Sequence, residues 1–280
     1  MDMLAQVRLS LDEDLGPGDL TTEACIPADA VGEGVILAKQ ALVVAGHVPA
    51  GLVFQELGQR TGGLVRYEPV ILDGELAHDR QLIAKLSGNL RTLISGERLA
   101  LNFLMKLSGI ATHVRPYVDA AQGKLRVVDT RKTTPMLRAL EKYAVRCGGA
   151  HNHRFALYDG MMVKDNHIQA AGSLREAVAA CKAHAHHLVR VEVEVERLDQ
   201  LAEALDTQAD VILLDNMDDA TMAECVRLTR ERRPGVILEA SGNITPERIA
   251  AIRDLGLDVV SAGGLIHQAR WVDLSLRLRG

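Results

Sequence analysis

The chain has 280 residues, 48% of them hydrophobic and 25% charged, which is the composition of a globular protein with a substantial core. Its 37 acidic residues outnumber its 32 basic residues and give a formal net charge of −5, which argues against a nucleic-acid-binding or membrane-surface protein. No apolar run nears the roughly 18 residues of a membrane span, residues 1–16 lack a signal-peptide pattern, and the four cysteines form no CxxC pair, so the sequence predicts a reduced cytoplasmic protein.

The first 115 residues contain short strand-like runs and one long helical pattern. The runs at 31–46 and 64–75 are β-rich and interrupted by glycine, which predicts strands and turns. Apolar residues from Leu90 to Ile110 recur at spacings of three and four, which predicts a long helix that ends at Gly109. The pattern then changes, which predicts a division of the chain near residue 115.

After residue 120 the sequence alternates between strands and helices six times. Thr134-Pro135, Thr245-Pro246 and the capping-box spacing that begins at Ser173 are helix-start signals. The alternation predicts a parallel sheet covered by helices, either an open doubly wound sheet or a barrel. Polar residues end nearly every strand, which favours the barrel, while no GxGxxG follows the first strand and no GxxxxGK[ST] occurs. The predicted strands are 125–132, 160–166, 189–196, 210–216, 235–242 and 258–264.

The strand at 189–196 has the most informative pattern. Glu192, Glu194 and Glu196 alternate with valines and therefore lie on the opposite face. In a helix-covered barrel these carboxylates point inward, where an unpaired charge is costly to bury. A barrel opening that contains both positively and negatively charged side chains suits a polyanionic substrate that binds together with a divalent cation. The alternative is an edge strand whose glutamates are solvated. The predicted cationic partners are Arg131, Lys132, His153, Arg154 and Lys164.

Two motifs between the first strands contain basic residues. In DTRKTTP (129–135), Arg131 and Lys132 precede a predicted helix start, which is typical of an anion site, although a turn with two solvated cations fits equally well. In HNHR (151–154), we predict that His153 and Arg154 donate to carboxylates, since two histidines alone are a weak metal signal. HAHH (184–187) predicts solvated histidines at a helix end rather than a metal site.

Three later segments extend the candidate site. Lys164 lies on the apolar strand GMMVKDN, as either an anion ligand or a Schiff-base nucleophile. The last two strands end in EASGN (239–243) and SAGG (261–264), whose small residues expose backbone N–H groups that suit a phosphate. Tight turns without a ligand explain these glycines equally well.

Taken together, these strings resemble the quinolinate phosphoribosyltransferase family of NAD synthesis. The resemblance runs from DEDLGPGDLTTEACIP (12–27) and ERLALNFLMKLSGIAT (97–112) through the highly specific block 129–168 to EASGNIT and SAGGLIHQARWVDLSL. It implies an N-terminal α/β sandwich domain over residues 1–115, with a C-terminal tail of about 268–280 packing back on it, and an open parallel α/β barrel over 116–267. The implied reaction converts quinolinate and phosphoribosyl pyrophosphate to nicotinate mononucleotide, pyrophosphate and CO₂ with Mg²⁺. The implied assembly is a homodimer, alone or within a hexamer, in which one subunit's N-terminal domain closes the partner's barrel.

The resemblance also implies roles for individual residues. Quinolinate is expected to bind to Arg131, His153, Arg154 and Lys164, and to Arg98 from the neighbouring subunit. Lys132, Glu194 and Asp215 are expected to be catalytic and to bind phosphoribosyl pyrophosphate, with Glu194 and Asp215 near Mg²⁺ through water. The remaining expected contacts to phosphoribosyl pyrophosphate are Ser241, Gly242, Asn243, Gly263 and Gly264.

Some positions depart from the commoner family pattern without removing a charged site residue, so they concern fine specificity: Met136, Ala150, His151, Ala156, Ile266 and Gln268. Three alternatives stay open. One is the paralogous phosphoribosyltransferase-like protein associated with molybdate transport, which shares DTRKT but is disfavoured by LYDGMMVKDNHI. The second is a Schiff-base lyase that uses Lys164 or Lys132. The third is a non-catalytic anion-binding barrel, which leaves Glu194 and Asp215 without a purpose.

Overall fold

The structure is a computed structural model that describes residues 3–279, and its chain forms two compact units. The first unit comprises the residues up to Arg115, Thr133–Gly149 and the residues from Leu265 onward. The second unit comprises Pro116–Lys132 and Ala150–Gly264. Residues 1, 2 and 280 of the predicted domain and tail lie outside the described residues.

The helices and strands alternate along most of the chain. The helices are α1 (Met3–Leu15), α2 (Leu20–Cys25), α3 (His47–Thr61), α4 (Leu90–Ala121), α5 (Arg138–Cys147), α6 (Asp165–Ala171), α7 (Leu174–His184), α8 (Leu198–Leu205), α9 (Asp219–Arg232), α10 (Pro246–Ile252) and α11 (Gly264–His267). The strands are β1 (Val31–Ala38), β2 (Leu42–Val43), β3 (Val65–Pro69), β4 (Leu76–Ala77), β5 (Leu82–Asn89), β6 (Arg126–Val128), β7 (Met161–Val163), β8 (Val191–Val195), β9 (Val211–Asp215), β10 (Ile237–Ser241), β11 (Val259–Ser261) and β12 (Leu274–Arg279). No helix within residues 3–279 is long and apolar enough to cross a membrane.

The first unit is built on a four-stranded antiparallel sheet in the order β12-β1-β5-β3. Ile36 of β1 lies opposite Ala84 of β5 on one side and Leu276 of β12 on the other, so the C-terminal strand completes this sheet. Phe54 of α3 is 1% exposed and stacks on Tyr67 of β3 with 5.9 Å between ring centroids. Burial of a side chain of this size stabilises the unit by about 2–3 kcal/mol.

The long helix α4 does not end at Gly109, so this prediction is wrong. The helix continues to Ala121 and stops where Gln122 and Gly123 adopt positive φ angles. Gly109 has a different purpose, because a Cβ there would lie 2.1 Å from the carbonyl oxygen of Arg270. A glycine is therefore needed for close packing with the C-terminal segment, a contact that helix-end rules do not detect.

The second unit is a six-stranded, wholly parallel sheet in the order β6-β11-β10-β9-β8-β7. Each strand lies within one of the six predicted strand segments. The valines of β8 are fully buried, as expected for residues covered by helices. Among the described residues no ladder joins β6 to β7, which are the two outer strands of this six-stranded parallel sheet. Together with the antiparallel sheet of the first unit, this confirms the predicted α/β fold class.

The helix boundaries confirm most of the local signals. Ser173 and Thr245 each cap a helix, with their side chains accepting from the backbone N–H groups of Glu176 and Arg248. His184, at the end of α7, is exposed, as are His186 and His187, which confirms the predicted position of these histidines.

The predicted helix start at Thr134-Pro135 is wrong, since α5 begins at Arg138. The N–H of Thr134 donates to Glu141 Oε2 at 2.8 Å, and the carbonyl of Thr134 accepts from Leu137. Met136 has a φ of +69°, which a helix does not contain. Residues 134–137 therefore form a turn that is hydrogen-bonded to α5, and they are not the first turn of that helix.

Candidate active site

The parallel strands of the second unit bring most of the predicted site residues to one edge of the sheet. Lys164 directly follows β7, Glu194 lies near the end of β8, and Asp215 ends β9. Because parallel strands end at the same edge, residues at these positions form one surface. Arg98 is an exposed residue of α4 and belongs to the first unit. The other predicted residues at this edge are Arg131, Lys132, Ser241, Gly242, Asn243, Gly263 and Gly264.

An ion pair joins the ends of two neighbouring strands. Val163 pairs with Val193 in the ladder, so Lys164 and Glu194, the next residues, lie side by side, and Lys164 Nζ donates to Glu194 Oε2. The Lys164 side chain is 43% exposed and the Glu194 side chain 14% exposed. The pair therefore combines a positive and a negative side chain at the strand ends, as the sequence predicts, and the ammonium group of Lys164 is accessible to an anion.

Glu196 does not share this environment. β8 ends at Val195, and Glu196 is exposed beyond it. The alternation of faces stops with the strand, so the predicted inward orientation is wrong for Glu196 and the solvated alternative applies to it.

Two further carboxylates lie deeper on the inner face and contact His153. His153 Nε2 lies 3.2 Å from Glu192 Oε2 and 3.7 Å from Glu239 Oε2. Glu192 is 6% exposed and Glu239 3% exposed. Burial and the charge of Glu192 raise the pKa of Glu239 to about 7, although His153, a hydrogen bond from Ser261 and Lys164 act against this shift. We call His153, Glu192 and Glu239 the buried cluster.

Glu239 is not among the site residues that the sequence predicts. The available signal is its register: Glu239 lies two residues before Ser241 on β10, so the two side chains share the inner face of an otherwise apolar strand. A charged residue in that position indicates a polar interior site.

The HNHR segment is held along the outer edge of β6. His151 bridges Val128 in parallel register, which places the following residues beside the strand end. Asp129 is completely buried, and its carboxylate accepts from the side chain of Asn152 at 2.7 Å and from the backbone N–H of His153 at 2.9 Å. Asp129 therefore anchors the segment that contains His153 and Arg154, and it is a second residue whose role was not predicted from the sequence.

Arg131 and Arg154 form a cationic part of the same edge. Partial burial and the positive charge of Arg131 lower the pKa of Arg154, while Glu192 and Asp159 act in the opposite direction. Arg154 Nη1 donates to the carbonyl of Gly160 at 2.8 Å, which fixes one side of the guanidinium group. Two neighbouring guanidinium groups are suited to a ligand with two carboxylates.

The turn after β10 is shaped by its neighbour after β9. Gly242 has a φ of +95°, and a Cβ there would lie 2.2 Å from the side-chain oxygen of Asn216. Asn216 also donates from its backbone N–H to Ser241 and from its side chain to Asp215. Close packing thus accounts for the glycine, and the binding of a phosphate by this turn stays a prediction.

The carboxylates predicted to lie near Mg²⁺ fit that ion by their chemistry. Glu194 and Asp215 are oxygen donors at the ends of neighbouring strands, and Mg²⁺ is commonly held by one or two carboxylates together with substrate phosphates. Among the described residues, the group of three that could hold a metal ion is instead the buried cluster, whose ligand atoms all lie within 4.8 Å of one another.

Comparisons with known proteins cover nearly the whole chain. The N-terminal domain family of quinolinate phosphoribosyl transferase matches residues 19–108, and the C-terminal domain family matches residues 110–277. The probable carboxylating nicotinate-nucleotide pyrophosphorylase of Synechocystis is 43% identical over 96% of this chain and 90% of that protein. The carboxylating nicotinate-nucleotide pyrophosphorylase of Mycobacterium leprae is 40% identical over 97% of this chain and 95% of that protein. The solved structure of the nicotinate-nucleotide pyrophosphorylase from Francisella tularensis superposes with a TM-score of 0.91 at 34% identity, covering 99% of this chain and 96% of the other.

Proposed function

The chain belongs to the quinolinate phosphoribosyltransferase family, and we infer from this membership that it converts quinolinate and phosphoribosyl pyrophosphate to nicotinate mononucleotide, pyrophosphate and CO₂. The feature of the site that supports this reaction best is the strand edge that contains Arg131, Arg154 and Lys164, where the charge of Arg131 lowers the pKa of Arg154. A pyridine with two carboxylates needs such a cationic pocket.

We propose that quinolinate binds at this cationic edge. The guanidinium groups of Arg131 and Arg154 would each receive a carboxylate through paired hydrogen bonds, since their planar forks match carboxylate geometry. Lys164 would leave its contact with Glu194 and add a third positive charge, and His153 lies next to Arg154 at the inner end of the pocket. Arg98 would be supplied by the partner of a homodimer.

Phosphoribosyl pyrophosphate is proposed to bind on the acidic side of the same edge. Loss of pyrophosphate leaves positive charge on the ribose, which Glu194 and Asp215 would stabilise electrostatically. Lys132 would contact the phosphates. Mg²⁺, held by Glu194 and Asp215 through water, would supply positive charge that neutralises the pyrophosphate. The 5′-phosphate is proposed to bind at the two glycine-containing turns, through Ser241, Gly242, Asn243, Gly263 and Gly264.

The chemical steps need no nucleophile from the protein. The ring nitrogen of quinolinate forms a bond to C1 of the ribose as the bond from C1 to pyrophosphate breaks. When the bond to the 2-carboxylate breaks, its electron pair stays on C2, where the adjacent positively charged nitrogen of the pyridinium stabilises it, and CO₂ leaves. A proton from solvent then replaces it on the ring carbon. Positioning and charge are therefore the contributions of the protein.

Assembly, compartment and domain limits are part of the same proposal. We propose a cytoplasmic homodimer, alone or within a hexamer, with a domain boundary near residue 115 and a second near residue 268. The composite site that this requires is tested below by mixing subunits.

The test of the reaction is incubation of the purified chain with quinolinate, phosphoribosyl pyrophosphate and Mg²⁺. We expect nicotinate mononucleotide and CO₂ in equal amounts, dependent on both substrates and the metal ion. Tight binding of both substrates without product would contradict the proposal and favour the non-catalytic barrel or the transport-associated paralogue. Reduction of the protein with borohydride in the presence of a carbonyl substrate, with loss of trapping in Lys164→Met, would instead support the lyase.

A further inference from the structure

The ring of His153 is held by the protein at both of its nitrogens. Nδ1 accepts a hydrogen bond from the backbone N–H of Arg154 at 2.7 Å, so Nδ1 has no proton. A neutral imidazole with an unprotonated Nδ1 has its proton on Nε2. That nitrogen lies 3.2 Å from Glu192 Oε2 and 3.7 Å from Glu239 Oε2. The contacts therefore assign the Nε2–H tautomer, with Glu192 as the nearer acceptor.

Burial of the carboxyl groups of Glu192 and Glu239 costs free energy, and the proposed reaction does not explain why the protein buries them. Glu192 and Glu239 each keep one carboxyl oxygen, Oε1, buried and without a hydrogen-bond partner. The charged groups that face Glu239 are Glu192 from β8, His153 and Lys164, while Ser261 of β11 donates a hydrogen bond to it. Burying a carboxyl group costs free energy unless a hydrogen-bond donor compensates for the lost solvent. The ring of His153 is the donor that both carboxyl groups approach.

We propose that Glu192 and Glu239 are positioning residues of the quinolinate pocket, which hold His153 as the Nε2–H tautomer and, through its Nδ1, fix the main chain of Arg154. The inference rests on the proposed function, because Arg154 is a proposed ligand of quinolinate. The guanidinium group of Arg154 is tied to the carbonyl of Gly160, so a displaced backbone at Arg154 would strain or break that contact as well.

A metal ion is the other ligand that these three side chains suggest, since their ligand atoms lie within 4.8 Å of one another. A metal ion on Nε2 would require removal of the Nε2 proton while Nδ1 still accepts from Arg154. The ring would then be an anionic imidazolate. The hydrogen bond at Nδ1 therefore favours the positioning role over a metal site.

The first test reads the tautomer directly and does not depend on turnover. Nitrogen-15 NMR of histidine-labelled protein at neutral pH, with His153→Asn used to assign the signal, should show Nδ1 unprotonated and Nε2 protonated. In Glu192→Gln we expect this signal to move, because the nearer carboxylate acceptor is lost. A protonated Nδ1 in the wild-type protein, or loss of the Nε2 proton when Zn²⁺ or Mg²⁺ alone is added, would overturn the proposal.

The second test separates quinolinate from phosphoribosyl pyrophosphate. Glu192→Gln should raise the KM for quinolinate about tenfold, since it removes the carboxylate that lies 3.2 Å from Nε2 of His153, and leave the KM for phosphoribosyl pyrophosphate unchanged. Glu239→Gln, which resembles the protonated side chain, should raise the quinolinate KM less, about threefold. Glu196→Gln is the matched control, because Glu196 follows the same strand and is exposed. Equal effects on both substrates, or equal effects of all three variants, would contradict a positioning role.

The two tests distinguish failure of this inference from failure of the proposed function. If the wild-type protein binds no quinolinate, the proposed function fails, and the NMR experiment still decides the tautomer. If quinolinate is converted normally but His153 has its proton on Nδ1, the inference alone is wrong. Thermal unfolding of each variant shows whether an effect on KM arises from a folded protein.

Discussion

Acidic side chains occur in two environments on the inner face of the parallel sheet. In the buried cluster, Glu192 and Glu239 are almost completely removed from solvent, and their partners are other protein groups. At the strand ends, Glu194 contacts Lys164, whose side chain is nearly half exposed. In the first environment the fold determines which group holds a proton, whereas in the second a bound ligand can replace the protein partner.

This difference predicts which measurement each group affects. Substitutions in the buried cluster, or of Asp129, should affect stability and quinolinate binding, because a substrate cannot replace a hydrogen-bond partner that is lost inside the protein. Changes at the strand ends should leave the free energy of unfolding nearly unaltered and act on substrate binding or turnover. The following predictions test this division, beginning with the largest expected effect.

Asp129→Ala should have the largest effect on stability. The substitution removes the carboxylate that accepts from the backbone N–H of His153 and from the side chain of Asn152. We expect the free energy of unfolding to fall by about 4 kcal/mol, measured by urea denaturation. Asp206→Ala is the control, since it removes an ion-paired but exposed aspartate and should cost less than about 1 kcal/mol. Similar losses in both variants would contradict the anchoring role.

The pH dependence of stability should report Glu239. Its pKa is about 7 in the folded protein, against an ordinary value of 4.5, so the folded state binds more protons than the unfolded state between these limits. Stability from this group is therefore present at low pH and is lost as the pH rises from about 4.5 to 7, by up to about 3 kcal/mol.

Glu239→Gln supplies the matching measurement, because glutamine cannot lose a proton. The difference in unfolding free energy between wild type and variant, taken from urea denaturation at several pH values, should shift in favour of the variant as the pH rises. A constant difference across the range would show that Glu239 does not hold a proton in the folded protein.

Arg154→Ala should separate the two substrates. The variant loses a guanidinium group that we place against a quinolinate carboxylate, and we expect the quinolinate KM to rise about 100-fold. The KM for phosphoribosyl pyrophosphate should change little. Arg197→Ala, which removes an exposed arginine, is the control. Equal weakening of both substrates would contradict the assignment of Arg154 to quinolinate.

The strands of the second unit could be predicted from the sequence because each is a short apolar run that ends in polar residues. The same feature located Lys164, Glu194 and Asp215, since parallel strands place their carboxyl ends together. Glu239 and Asp129 were missed as site residues because their importance depends on the HNHR segment, which approaches them only in the folded chain.

The two wrong helix boundaries have a related cause. Gly109 resembles a helix end, yet the chain near Arg270 is what requires a glycine there. Thr134-Pro135 resembles a helix start, yet Glu141 binds the backbone of Thr134 and holds a turn. Local signals predict a boundary only where no tertiary contact competes for the same residue.

The smallest expected signal is a partial recovery of activity on mixing two variants, and it tests whether Arg98 contributes to the partner's site. Arg98→Ala and Lys164→Ala should each be nearly inactive alone, because each removes a proposed quinolinate ligand. If Arg98 acts in the partner's site, a mixed dimer combines both defects in one site and leaves the other site intact. Random exchange makes half of the dimers mixed, with one intact site of two, so about a quarter of wild-type activity should return.

The matched control for this experiment places both substitutions on one chain. Arg98→Ala/Lys164→Ala mixed with wild type forms dimers in which each site has one of the defects, so the mixed dimers should be inactive. Subunit exchange is verified separately by mass spectrometry of differently tagged chains. If exchange is complete and the single variants recover no activity, Arg98 does not contribute across the interface. Lys164 and Arg98 of one chain then act in the site of that same subunit, or Arg98 does not act at the site.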